Sequence, residues 1–293
     1  FFSMALRGSA MPAALTRGLF QVGSVWLVFL LYMVLALLLV DVAAWLRLTV
    51  PHGFWVALAL CSVVLISGHY RYKHPQVNVV SIAFDKACDF AKPLTVVAVS
   101  DVHLGEGTGR EALARYVDLI NAQSPDVIVI AGDLIDNSVH PLYRDRMADE
   151  LARLTAPQGI FMVPGNHEHI SGIDEVARFI ADTPIMLLRD SVVTLPGGLQ
   201  LIGRDDKSNF SRATLSTLMS RTDTSRPIFV LDHQPYGIAE ADALGIDLLF
   251  CGHTHRGQVW PLTWVTDGLF EQSHGYRRWS HAHVYVSQGL SLW

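Results

Sequence analysis

At 293 residues the chain can hold one large domain or two modest ones, and 51% of it is hydrophobic against 17% charged, a greasier balance than an ordinary water-soluble domain carries. A formal net charge of −5 argues against the broad basic face that nucleic acid recruits. The cysteines, Cys61, Cys88 and Cys251, stand at unrelated spacings and imply neither a disulfide framework nor a thiolate zinc site.

The greasiness is concentrated near the start. No charged residue occurs from Gly18 to Val40, nor from Leu48 to Tyr70, and about 20 apolar residues suffice for a helix to cross the hydrocarbon core. Residues 1–70 therefore read as a membrane-anchoring region with two transmembrane helices, about 19–40 and 50–68. The first run exceeds a signal-peptide core, and Asp41 and Trp45 follow it instead of a small-residue cleavage site. Pro51, His52 and Gly53 interrupt the start of the second. Arg7 and Arg17 precede the pair, while Arg71, Lys73, Lys86 and Lys92 follow it. This bias predicts an integral protein of the inner membrane with both ends on the cytoplasmic side. The chain opens Phe-Phe and stops at Trp293 within strand-like sequence, so further residues are expected at both ends.

Residues 71–92 read as a connector that includes a first edge strand, "VNVVSIAF". From residue 93 to 293 the texture changes. Short β-branched runs, "LTVVAVS", "DVIVIAG", "GIFMVPG", "PIFVLDH" and "DLLFCGH", alternate with helical stretches such as "GREALARYVDLINAQ", "YRDRMADELARL" and "IDEVARFIADT". Runs without in-out alternation suit strands buried on both faces, which predicts an α/β domain with helices outside.

Each run ends on metal-ligand chemistry. "LTVVAVS" opens onto Asp101 and His103, "VIVIAG" onto Asp133 with Asp136 beyond, "IFMVPG" onto Asn166-His167-Glu168, "IFVL" onto Asp232-His233, and "LLFCG" onto His253 and His255. Ligands gather beyond the carboxyl edge of such sheets, so the five clusters can converge on one crevice. On an extended strand, a spacing of two puts Asp101 with His103, and His253 with His255, on one face. Carboxylate, imidazole and amide donors without thiolate suit manganese, iron or zinc in a catalytic rather than a structural role. They are too many for one ion. Two ions sharing Asp133 fit better, because that residue follows a glycine that lets backbones approach.

Read together as D-x-H, G-D-x-x-D, G-N-H-E, H and G-H-T-H, these blocks resemble the calcineurin-like metallophosphoesterase family over residues 94 to 293. "GHTHRGQVWP", the "GRDD" at residues 203–206 and "YVSQGL" are similar to its bacterial-type, membrane-anchored phosphodiesterase branch. The resemblance implies a sandwich of two central β-sheets flanked by helices. It implies that Asp101, His103, Asp133 and His255 hold one metal and that Asp133, Asn166, His233 and His253 hold the second. His167 is then free of metal and protonates the leaving group, with Glu168 orienting its neighbours. The implied activity is hydrolysis of a phosphodiester or pyrophosphate bond by a metal-activated hydroxide, with no covalent enzyme intermediate. Two divalent ions are the expected cofactors, manganese first, then iron or zinc.

The expected partners are a phosphoester, lipid-linked by preference, and the membrane; no nucleic acid is expected. The alternatives are a non-catalytic metal- or phosphate-binding scaffold and a phosphodiesterase for a soluble substrate, nucleotide or nucleic acid. His52, His69, His74, His140, His274, His281 and His283 read as structural or surface residues, His169 as a rim candidate. Asp136 and Asp232 read as caps or supporting groups, Arg256 as a phosphate contact or a surface ion pair. Trp260, Trp264 and Trp279 lie in or beside the last loop and read as aromatic core first and as the lining of an apolar entrance second.

Overall fold

A computed structural model describes residues 13–291. Arg7 and the chain end at Trp293 lie outside the described residues. The chain divides into two compact units, Phe1–Asn78 and Val79–Trp293.

In the first unit, helix α1 (Ala13–Trp45) and helix α2 (Gly53–Lys73) form a hairpin. Met33, Ala57 and Cys61 are buried between them, packed against Phe29, Tyr32 and Leu58. A side chain at Gly53 would meet Val40, so the glycine allows the turn to close. Most other apolar side chains point outward, among them Trp26, Leu39 and Ile66. Both helices are long and apolar enough to cross a membrane. α2 starts later than residue 50 because Pro51 and His52 form the turn, and it ends on Arg71 and Lys73, where cations favour a helix terminus.

In the second unit β1 (Val96–Val99), α3 (Arg110–Asn121), β2 (Val127–Ala131), α4 (His140–Arg144), α5 (Met147–Leu151), β3 (Ile160–Val163), α6 (Asn166–Ser171), α7 (Ile173–Ala181) and β4 (Ile185–Leu187) come first. Their strands make a parallel sheet in the order β1-β2-β3-β4. There follow β5 (Ser191–Thr194), β6 (Gln200–Gly203), α8 (Leu215–Met219), β7 (Ile228–Leu231), α9 (Ile238–Ala243), β8 (Leu248–Cys251), a single 3-10 turn (His255–Gly257), α10 (Leu262–Leu269), β9 (Gly275–Arg278) and β10 (His283–Val286). The second sheet runs β5-β6-β7-β8-β10-β9, parallel inside and antiparallel at each edge.

The unbroken apolar runs are explained by which face each side chain takes. Val127, Val129, Phe161 and Val163 pack against Leu201, Phe229, Leu231 and Phe250 between the sheets. Their alternates, Ile128, Ile130, Ile160 and Met162, pack under α3, α5 and α7 through Leu113, Leu151 and Phe179. On the far side Ile202, Val230 and Leu249 pack under α8 and α9 through Leu218 and Ile238. Period-two geometry thus buries both faces of each central strand, giving helix, sheet, sheet and helix layers.

Two expectations need correction. The "VNVVSIAF" segment forms no edge strand; residues 75–95 are irregular. Val79 is exposed, and alternation supplies no hydrogen-bond partner when β5 and β9 already occupy the edges of the larger sheet. The residues that follow it are held by side chains, with Lys86 Nζ 2.7 Å from Asp247 Oδ2 and Phe90 packed into the core between the sheets. "YRDRMADELARL" is likewise not one helix, because Arg146 adopts φ 52° and separates α4 from α5.

Candidate metal centre

The parallel strands β1, β2 and β3 of one sheet, and β7 and β8 of the other, all end at this centre. The ladder continues past the strands: the N–H groups of Asp101, His103 and Leu104 donate to the carbonyls of Gly132, Asp133 and Leu134 at 3.0, 2.9 and 2.8 Å. The Asp-x-His and His-x-His pairs are not extended, however. Asp101, His103, Asp133, His253 and His255 have φ of 53°, 48°, 52°, 72° and 44°, left-handed values that cost a non-glycine residue about 1–2 kcal/mol each. Tight turns, not the pleat of a strand, bring each pair into one crevice. Such concentrated strain is characteristic of functional sites.

Glycines make the convergence possible. At Gly132 (φ 77°) a side chain would meet His233 Nδ1 at 2.6 Å and the Gly165 nitrogen at 2.7 Å; at Gly252 it would strike Ser100 and the Asp101 carboxylate. Three strand ends therefore touch where only hydrogen fits.

All eight residues singled out in the sequence come together. Asp101, His103 and His255 offer donor atoms within 4.8 Å of one another, as do Asp133, His233 and His253. His103 Nε2 lies 3.0 Å from His255 Nε2, and Asp101 Oδ1 lies 3.4 Å from the latter. Asn166 Oδ1 lies 3.1 Å from His233 Nε2 and 3.0 Å from His253 Nδ1. Asp133 Oδ2 lies 3.2 Å from His233 Nε2 and 3.8 Å from His103 Nε2, so one carboxylate reaches both groups.

The electrostatics suit cations. Burial, and then the charge of His233, lowers the His253 ring to about 4, and burial lowers His255 as well. Neutral rings keep the lone pair that a divalent ion requires. Burial works to raise Asp133, but the charges of His233, His167 and His103 hold it below its ordinary range. The same carboxylate raises His233 against its own burial. His103 Nε2 and His255 Nε2, facing each other beside Asp101, cannot both carry a proton, so at least one lone pair there lies beside the carboxylate. The donor set fits metal ions.

Two carboxylates support the set without belonging to it. Asp136 Oδ1 lies 3.3 Å from His167 Nδ1 and 3.7 Å from His103 Nδ1, orienting both rings. Its pKa is lowered to about 2: burial opposes this, but the neighbouring His103 and His167 rings prevail. His167, half-buried, is pushed up to about 9; burial would lower it, and Asp136 with the charge of Asp133 overcomes that. Fully buried Glu168 accepts from the backbone N–H groups of Asp133, Gly165 and Ile135 at 2.8, 2.7 and 2.9 Å. It therefore ties β2's end to β3's. Glu168→Ala leaves three buried donors unsatisfied, and a loss of about 3 kcal/mol or more in unfolding free energy is expected; denaturant melts against the unsubstituted chain measure it.

Beside the centre lies a second polar cluster, of which only parts drew notice in the sequence. Asp205 binds Arg189 (Nη2–Oδ2 2.9 Å), His169 Nε2 (2.9 Å) and Asn209 Nδ2 (3.0 Å). Buried Asp232, next to His233, pairs with Arg204 at 2.7 Å and Arg212 at 3.2 Å. His169 thus belongs to this cluster. The "GRDD" motif supplies Arg204 and Asp205, yet only packing shows whom they meet. Arg256 is exposed and makes no ion pair among the described residues. The reading of the tryptophans needs correction: Trp279 packs at the edge of the core, whereas Trp260 and Trp264 are exposed, because α10 buries none of its residues.

Comparison with known proteins shows the family. The family model described as calcineurin-like phosphoesterase matches residues 94–257. A metallophosphoesterase of Helicobacter pylori is 29% identical over 225 residues, covering 75% of this chain and 59% of that protein. A Danio rerio transmembrane protein with metallophosphoesterase domain is 30% identical over 255 residues, covering 81% and 58%. The chain thus spans less than two thirds of these relatives. Among solved structures, a dimetal phosphatase from Danio rerio aligns over 67% of this chain and 88% of its own, with 13% identity and a TM-score of 0.44.

Proposed function

Because the chain belongs to the calcineurin-like phosphoesterase family, we propose that it is a membrane-anchored, dinuclear metal-dependent phosphoesterase hydrolysing a phosphodiester or pyrophosphate bond in a lipid or lipid-linked substrate. The observation that carries this reading is the Asp133 carboxylate, within 4 Å of imidazoles from both donor groups. Asp101, His103, Asp133 and His255 would hold one ion, and Asp133, Asn166, His233 and His253 the other, with manganese favoured by the oxygen and imidazole donors.

When bound, the two ions supply charge for the phosphoryl oxygens and a hydroxide nucleophile at neutral pH. The chain's own residues do the rest. Asp136 engages His167 Nδ1, which leaves Nε2 to face the leaving group. The raised pKa keeps that ring protonated at neutral pH, ready to donate as the ester oxygen departs. Glu168 fixes the backbone from which Asp133 and His167 project, and Asp136 holds His103 in register.

α1 and α2 would be the anchor. Arg17 near the start of α1 and Arg71 and Lys73 in the last turn of α2 support, by the positive-inside bias, a catalytic unit on the cytoplasmic side of the inner membrane. Confinement there raises encounters with lipid-borne phosphoesters more than with dilute soluble ones.

The test is hydrolysis of a chromogenic phosphodiester by the purified chain. Activity is expected to vanish after chelation and return with manganese, and turnover of a vesicle-borne phosphoester is expected to exceed that of a cyclic nucleotide. Full activity in chelator would sink the dinuclear reading; preference for the nucleotide would sink the lipid one.

A further inference from the structure

Helix α10 follows the turn that carries His255, and the fold leaves it uncovered. Leu262, Val265 and Leu269 recur at the spacing of a helix face destined for a core, yet they are 45%, 55% and 67% exposed. Trp264 is 67% and Trp260 51% exposed, their rings 5.4 Å apart. Single exposed apolar side chains are ordinary; a contiguous group with two tryptophans is not.

This face adjoins the metal centre. α10 backs so closely onto the His255 turn that a side chain at Gly257 would meet the Thr263 nitrogen at 2.6 Å. Phe270, at the end of α10, lies 6.1 Å from the His253 ring and 5.0 Å from that of Tyr236. Asp267 is the helix's acidic residue, and it is tied to Ser273. Exposed cations outnumber anions nearby: Arg256 stands beside His255, Lys207 lies 3.9 Å over the Tyr236 ring, and Arg277 and Arg278 are exposed on β9, with exposed Glu271 directly after Phe270.

An apolar helix face with tryptophans and a basic rim is the composition of an element that lies in a bilayer interface with anionic headgroups. We propose that α10 is an interfacial docking helix, which seats the mouth of the metal centre on an anionic lipid surface so that a lipid-borne phosphoester enters from the bilayer side. The inference rests on the lipid reading of the function and deepens it. The occupant is a bilayer for a second reason: if α1 and α2 are anchored, residues 74–95 extend at most about 70 Å and keep the bilayer within reach. A second copy of the chain is a poorer occupant, since a stable dimer buries about 800 Å² per partner, more than four side chains on so short a helix and Trp260 before it present.

The test uses the full chain with Cys88→Ser, which removes the exposed native cysteine while Cys61 and Cys251 are buried. An environment-sensitive fluorophore is attached at Val265→Cys or, as a control, at Glu111→Cys on the exposed side of α3. Both proteins are reconstituted in vesicles of phosphatidylcholine and phosphatidylglycerol with brominated acyl chains. Quenching at 265 several-fold above that at 111, weakening when the anionic lipid is omitted, is expected. Equal quenching at the two positions overturns the proposal, as does shielding at 265 that vanishes on dilution of the protein and ignores bromine, the signature of a second copy. A Trp264→Ser/Val265→Ser double substitution is expected to lower the ratio of vesicle-borne to soluble diester turnover about tenfold. An unchanged ratio in a chain that does hydrolyse the vesicle-borne ester refutes docking and leaves the function standing. If the unsubstituted chain cleaves only soluble diesters, the lipid function fails, and the quenching decides docking alone.

Discussion

Asp133→Ala is expected to strip both ions from the protein and to reduce diester hydrolysis to the uncatalysed background. Oxygen Oδ2 of this residue lies between His233 of one donor group and His103 of the other, while Oδ1 accepts from the His167 backbone at 3.0 Å. No other carboxylate in the described residues occupies that midpoint. On the bridging assignment, its removal would leave each ion with one anionic ligand fewer and free the strand end that aims His167. Loss of at least about 10³ in kcat/KM is expected, more than 4 kcal/mol of transition-state stabilisation. Elemental analysis of the purified variant, alongside a circular dichroism spectrum to show that it is folded, is the measurement. A folded variant that retained two ions would end the bridging assignment, whatever its activity.

His167→Gln is expected to behave differently, keeping the metals and losing the proton. The ring is engaged by Asp136 and raised to about 9, which fits an acid. For an alkyl diester, whose leaving oxygen needs a proton, the expected loss is on the order of 10² to 10⁴ in rate, about 3 to 5 kcal/mol. For a nitrophenyl ester, which leaves unaided, the loss is expected to be far smaller. The pH profile carries the sign: the protonated ring is the active form, so alkyl-ester turnover is held below the ring's pKa and declines as pH rises through it, a limb the variant lacks. Equal losses on both esters, or loss of metal, would remove His167 from the acid role.

The reach of the sequence can be judged from particular residues. The five β-branched runs that end on polar clusters became β1, β2, β3, β7 and β8, because a strand buried on both faces must be apolar at every position. The eight candidate residues drew notice for a related reason: a polar side chain closing such a run has little to gain in a core and must find a partner at the sheet edge. Strands β4, β5, β6, β9 and β10 escaped notice. Segments such as "IML" and "GYRR" are short or charged, and they are strands through the neighbour they pair with. "VNVVSIAF" failed in the opposite direction, with strand-like composition but no neighbour.

The sequence by itself determined the donor types, their order along the chain and the strand ends that carry them, together with two apolar helices near the start. Each follows from local composition, since burial and helix length act on contiguous residues. Only the tertiary structure decided that Asp101, His103, His253 and His255 meet through left-handed turns instead of a shared strand face, that Glu168 binds two strand ends and Asp136 two rings, and that α10 lies uncovered beside the metal centre. Those facts depend on contacts between segments far apart in sequence. Whether a polar group finds a partner, or an apolar face a cover, is settled by what the rest of the chain brings against it.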